Sequence, residues 1–351
     1  MIPQFPTPEL EMTAPFAGYE RVLLAHGSGG DLSHELLEQV LLPALGLWGH
    51  GPVEEQALLA PIVGRPALTI DSFVVKPLFF PGGDIGRLSV FNTVNDLAVG
   101  GAIPRDLALS FIIEEGLPLE TLVRVARSVA RACAEARVHL VTGDTKVVER
   151  GGAEGLYITT TGVGVVPGGV ELSIKRARPG DVIVVSGTVG DHGIAVWAQR
   201  HGLILESELL SDSAPLTSLV RSMLDHEPRL RCLRDPTRGG LARALSEIAA
   251  ASGVAIQVEA SAVPVHPAVQ SACARLQLDP LCVACEGRLV AVAPAEAAQR
   301  VLAVMRAHPL GRGAAIIGEV RDAPVGHVAF QSDGDERTVS LLAGELLPRI
   351  C

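Results

Sequence analysis

Apolar positions recur at helical spacing in Leu36, Leu37, Val40 and Leu41, which predicts a helix over residues 31–42 with Asp31 as its N-cap. A glycine loop, His26-Gly27-Ser28-Gly29-Gly30, leads into it. Ala67-Leu68-Thr69-Ile70 reads as a strand, and Asp71 and Ser72 interrupt the apolar run before Phe73-Val74-Val75, so Asp71 is expected at the strand end. Helices follow at about 86–100 and 119–136, with a strand around 107–113 between them. Residues 138–141 and 157–166 read as strands separated by a polar loop. At Val166-Pro167-Gly168-Gly169 the rhythm breaks, then restarts with a strand at 181–186 and a helix at about 191–200. Further helices are predicted at 239–252 and 295–307, and strands near 254–259, 288–293 and 325–330. This is an α/β pattern in two domains, residues 1–170 and 171–339, with the boundary near 167–178. Residues 340–351 form a short mobile tail in which Pro348 opposes a helix running to the last residue, Cys351.

Charge and composition narrow the partners. Lys and Arg total 29 against 39 for Asp and Glu, a formal charge of −10. Such a surface repels nucleic acid phosphates and anionic lipid, so neither nucleic acid nor membrane is an expected partner. Phe, Trp and Tyr number only 8, 2 and 2, too few for a base-stacking platform. The start, MIPQFPTPEL, has neither a basic n-region nor an apolar run, and the six cysteines suit thiols of a reducing cytosol. A cytoplasmic protein is expected.

Several polar motifs carry chemistry. Asn92, Asn95 and Asp96 stand at i, i+3 and i, i+4 and so share a helix face, to which Asp71 adds an oxygen from a strand end. Oxygen-only side chains converging in this way suit Mg²⁺ when phosphate oxygens complete its shell; taken alone, they also suit a cap and a solvated face. Two acidic loops add weight: Gly143-Asp144-Thr145-Lys146 after a strand, and Arg234-Asp235-Pro236-Thr237-Arg238-Gly239-Gly240 opening a helix. The second sets free backbone N–H groups and Arg238 beside an anion site. No P-loop motif occurs, and Gly187, Gly190 and Gly193 have the wrong spacing for a dinucleotide fingerprint. Cys282 and Cys285 form a single CxxC, read as two semi-buried thiols rather than a metal site. Cys351 reads as a carrier thiol, since the nine residues from Ala343 reach about 30 Å when extended.

These motifs, in order, are HGSGG at 26–30, TIDSFVVKPLFFPGGDIG at 69–86, NTVNDLAVGGAIP at 92–104, VTGDTKVV at 141–148, RDPTRGGLA at 234–242, CEGRL at 285–289 and PRIC at 348–351. Together they resemble the HypE family of hydrogenase maturation proteins, within the aminoimidazole ribonucleotide synthetase superfamily. The resemblance implies a two-domain PurM-like fold, a homodimer joined through N-terminal sheets, and ATP with Mg²⁺ bound without a P-loop. It implies ATP-dependent dehydration of an S-carbamoyl group on Cys351 to a thiocyanate. The donor would be a HypF-type carbamoyltransferase and the cyanide acceptor a HypC–HypD complex. It places Lys146 and Glu286 nearest the carboxamide and Asp71, Asp96 and Asp235 on the metal. Asp84, Asn92, Asn95 and Asp144 would complete the nucleotide site. One departure stands out: Cys285 occupies a position where the family usually has Asn, a stronger hydrogen-bonding group. Two other readings stay open. A non-catalytic thiol carrier would also use Cys351, whereas a selenophosphate synthetase would need a reactive Cys in the first glycine loop, where Ser28 stands.

Overall fold

The computed structural model describes residues 18–47, 54–332, 335–337, 347 and 349–351. The N-terminal MIPQFPTPEL and most of the tail, including Pro348, lie outside the described residues. A helical stretch runs over 31–44 as α1 (Asp31–Glu35), a π-helical turn (Leu36–Leu41) and α2 (Leu42–Ala44). Gly30, not Asp31, is its N-cap. Asp31 sits in the first turn instead, where a carboxylate still favours the positive helix end.

The first domain continues with β1 (Arg65–Phe73), the short hairpin of β2 (Phe79–Phe80) and β3 (Gly83–Asp84), α3 (Ile85–Val99), β4 (Ile103–Glu114), α4 (Leu119–Ala136), β5 (His139–Val148) and β6 (Leu156–Val166). Its sheet has the order β1-β6-β4-β5, with only β4 and β5 parallel. Burial along β4 and β6 alternates, as in a sheet covered on one face. Phe73, Leu109, Phe111 and Ile158 point at α3 and α4 and make the core. On the other face Leu68 and Ile70 of β1 remain 71% and 65% exposed.

Two expectations change here. Asp71 lies inside β1, because the antiparallel ladder to β6 runs on past Asp71↔Thr160 to Phe73↔Ile158. The expected polar loop after residue 141 is strand as well: β5 pairs with β4 through Asp144↔Ser110 and Lys146↔Ile112. Backbone hydrogen bonds do not require apolar side chains, so polar residues on an uncovered face leave the ladder intact.

The second domain comprises β7 (Val182–Val185), α5 (Asp191–His201), α6 (Thr217–His226), β8 (Cys232–Arg234), α7 (Gly240–Ser252), β9 (Ala255–Glu259), α8 (Pro267–Leu276), β10 (Val290–Ala293), α9 (Ala298–Ala307), β11 (Ala315–Arg321), β12 (Val328–Ser332) and β13 (Asp335–Arg337). The sheet order is β13-β12-β9-β11-β7-β10-β8. Successive residues of β7 enter different cores: Ile183 and Val185 join Leu245 and Ile248 of α7, while Val184 joins Met223 of α6 and Met305 of α9. A sheet covered on both faces reads as a continuous apolar run, as VIVV does.

Helix α3 is buried on nearly every side. It packs on β1, β4 and β6, and also on α6 and β8 of the second domain. A helix with no solvent face is a joint between layers, and its polar residues must all find partners.

Candidate active site

Three carboxylates meet at the β1 edge of the first sheet. Thr69 Oγ1 donates to Asp96 Oδ2 at 2.8 Å, linking β1 to α3. The Asp71 and Asp96 carboxyl groups share a hydrogen bond, and Asp235 faces them from the loop between β8 and α7. That loop turns sharply through Gly239 and Gly240, with φ of +80° and +61°. A Cβ on Gly240 would lie 2.6 Å from the carbonyl oxygens of Leu281 and Val283. Burial, then Asp96 and Asp235, push Asp71 up to about 7, against the pull of Arg238. Burial and then Asp96 push Asp235 up to about 6.

Like charges gathered this closely are costly until a cation joins them. Among the described residues no three His, Cys, Asp or Glu side chains close into a cage. Two carboxylates are the protein share that a hard cation such as Mg²⁺ takes when water and phosphate oxygens fill the rest of its shell.

Glu286 and the end of the tail complete the cleft. Glu286 is buried, and its Oε2 accepts from Asn92 Nδ2 while Oε1 has no hydrogen-bond partner among the described residues. Burial, then Asp212, holds its carboxyl well above the usual range. Its backbone N–H donates to Asp212 Oδ1 at 3.1 Å, and at Gly287 a Cβ would lie 1.8 Å from the Asp212 carbonyl oxygen. The tail enters antiparallel to the residues after β1: Val74 N–H donates to Cys351 O at 3.2 Å and Lys76 N–H to Arg349 O at 3.3 Å. Ile350 is buried, and Arg238 Nη1 lies 3.9 Å from Cys351 Sγ. Burial, then Glu286, pushes the Cys351 thiol up to about 12.

The other sequence candidates fall into distinct places. Asn95 is engaged at both ends of its amide, donating to Ala214 O at 3.0 Å and accepting from Leu216 N–H at 2.7 Å, so it ties α3 to the second domain. Asp84 caps α3, accepting from Gly86 N–H, Arg87 N–H and Ser128 Oγ. It stands about 18 Å from Asp96 along the helix. Asp144 and Lys146 pair with each other at 2.9 Å on the uncovered face of the sheet. They stand three strands from β1, about 14 Å away. The Lys146 ammonium holds Asp144 below the usual carboxylate range. Cys282 and Cys285 are fully buried rather than semi-buried, and Gly190 N–H points at Cys285 Sγ at 3.2 Å, so the thiol serves the interior.

The sequence places α5 correctly but gives no role to its His192 or Arg200. His192 Nε2 lies 2.6 Å from Ile350 O and its Nδ1 2.8 Å from Ser211 Oγ. Arg200, eight residues on, donates to Lys76 O at 2.6 Å and also to Arg349 O. The signal was the glycine spacing. Gly193 lets α5 approach the 283–285 segment, because a Cβ there would lie 2.5 Å from Val283 Cγ1.

Comparison with known proteins agrees along the chain. The AIR synthase related protein N-terminal domain matches residues 55–166, and the AIR synthase related protein C-terminal domain matches residues 178–330. Carbamoyl dehydratase HypE of Azotobacter vinelandii is 51% identical over 331 residues, 94% of this chain and 97% of that protein. The crystal structure of hydrogenase maturation protein HypE in complex with ATP superposes with a TM-score of 0.89 at 44% identity, covering 94% of this chain and 99% of that one. The HypE of a HypE–HypF complex gives a TM-score of 0.77 at 42% identity, covering 89% and 99%. With two AIR synthase related domains and half its residues shared with a full-length relative, the chain belongs to the carbamoyl dehydratase HypE family.

Proposed function

We propose that the chain is an ATP-dependent dehydratase that converts an S-carbamoyl group on Cys351 to a thiocyanate, the source of the cyanide ligand for the iron of a [NiFe] hydrogenase. The observation that carries this is the seating of the terminal thiol between Glu286 and Arg238, beside the acid trio. Asp71, Asp96 and Asp235 would hold Mg²⁺ and, through it, ATP, whose γ-phosphoryl group makes the carboxamide oxygen a leaving group. Both N–H protons must leave the carboxamide nitrogen as its bond to carbon becomes triple. Glu286 has an oxygen free for one of them, and the burial that raises its proton affinity makes its ionised form a stronger base.

Docked, the Cys351 thiol is half-buried and its burial raises its proton affinity, and both oppose attack on a donor held by another protein. Carbamoyl loading by a HypF-type partner therefore precedes docking, with the tail outside the cleft. Handover to a HypC–HypD complex follows release. Lys146 lies on the open face and away from Glu286, so it joins the reaction from a second copy packed on Leu68 and Ile70. An exposed apolar strand at a sheet edge is a natural seam for such a homodimer.

The test is intact-protein mass spectrometry after incubation with the carbamoyl donor, with and without ATP. Loss of one water from carbamoylated Cys351 only when ATP is present supports the reading. Carbamoylation without that loss leaves a carrier and not a dehydratase.

A further inference from the structure

Among the buried titratable groups, His192 is one to which the reaction as described gives no role. It is fully buried and makes two hydrogen bonds, one at each ring nitrogen, the second continued by a third through Ser211. The Ile350 carbonyl can only accept, so Nε2 carries the ring proton. Nδ1 is then bare and takes the hydroxyl proton of Ser211, whose oxygen accepts from Ser213 N–H at 3.1 Å. Phe80 stands edge-on to the ring with centroids 5.4 Å apart, closing its side. The same Nε2 is 4.0 Å from Glu286 Oε1.

We propose that His192 is a positioning residue for the dehydration: it reads the Ile350 carbonyl and so fixes where the sulfur of Cys351 is presented. The tail carbonyl takes the N–H that would otherwise be offered to Glu286 Oε1, leaving that oxygen for the carboxamide. Burial lowers the His192 value to about 4, which keeps the ring neutral and the Ser211 bond in place. Arg200 supports the same docking from one helix face by holding the Arg349 carbonyl. Both contacts are to the tail backbone, so His192 and Arg200 hold the course of the chain rather than its side chains.

The dehydration half of this proposal rests on the function proposed above, whereas the docking half does not. Docking is read by iodoacetamide alkylation of Cys351, since the other five cysteines are buried. In His192→Leu, alkylation should quicken roughly tenfold and single-turnover dehydration of the carbamoylated protein should slow by a similar factor. Carbamoyl loading and ATP affinity should hold. His192→Gln keeps an N–H near the Nε2 position and should recover a substantial part of both. Parental alkylation and dehydration in His192→Leu would overturn the proposal, as would identical behaviour of the Leu and Gln variants. If the Leu variant fails to fold, Ser211→Ala decides, because it keeps the ring but frees its orientation; unchanged alkylation and turnover there also refute the role. If alkylation responds while even the parent protein never loses water, docking stands and the proposed reaction fails.

Discussion

Asp71 binds a proton tightly for reasons that a cation would reverse. Its carboxyl is raised to about 7 and that of Asp235 to about 6, so near pH 6 a metal must displace protons to bind. Affinity for Mg²⁺–ATP should therefore rise several-fold per pH unit between about pH 5 and 7 and level off above, with protons released on binding. Calorimetry in two buffers of different ionisation enthalpy checks this; flat affinity with no proton release would refute the assignment of the trio. For Glu286 the prediction separates binding from chemistry. Glu286→Gln retains the shape and a polar contact for Asn92 but cannot accept a proton. It should bind ATP normally, accept the carbamoyl group and dehydrate about 10²–10⁴-fold more slowly in single turnover. A parental rate would remove Glu286 from the chemistry. At this scale the acids were legible in the sequence, because oxygen-bearing residues interrupt apolar runs at Asp71 and Asp96. His192 was not, since a single histidine inside a helix looks the same whether it is packed or working.

Elements differ in how plainly they announce themselves. The long helix Leu119–Ala136 was legible to the residue, because buried and exposed positions alternate at helical period over its whole length. Helices α6 and α8 and strand β11 went unread, and β11 carries a register shift between Ile316 and Gly318 that breaks its alternation. Strand β5 misleads for another reason, since its polar side chains belong to the uncovered face. The loop holding Glu286 depends on a residue with no side chain. Gly287→Ala forces a Cβ into the space of the Asp212 carbonyl oxygen and should lower stability by roughly 2–4 kcal/mol. Denaturant unfolding of the two proteins measures this, and an unchanged midpoint would mean that the segment 212–214 moves aside freely.

For the whole molecule, the cleft joins residues separated by nearly the entire chain, from Asp71 to Cys351, and no local pattern encodes that meeting. Neither does local pattern show that Lys146 points away from it. Ile70→Glu sets a charge on the proposed seam and should yield a monomer by sedimentation, with dehydration lost along with the proposed contribution of the partner's lysine. A sharper check mixes copies carrying Lys146→Ala with copies carrying Glu286→Gln. If lysine and glutamate act from different copies, random mixing makes half the dimers mixed, each with one intact site, and returns about a quarter of parental activity. Activity no higher than that of the separate variants would place both residues in the same copy. A dimer that survives Ile70→Glu would put the seam elsewhere.

The bonds from Val74 and Lys76 to the main-chain oxygens of Cys351 and Arg349 contain nothing peculiar to a covalently attached tail. A free peptide with the same last residues presents the same oxygens. The chain connection contributes mainly a local concentration, in the millimolar range for short linkers. A protein truncated after the second domain and supplied with millimolar carbamoylated peptide should then behave as an enzyme with a dissociable substrate, saturating with peptide and turning over more than once.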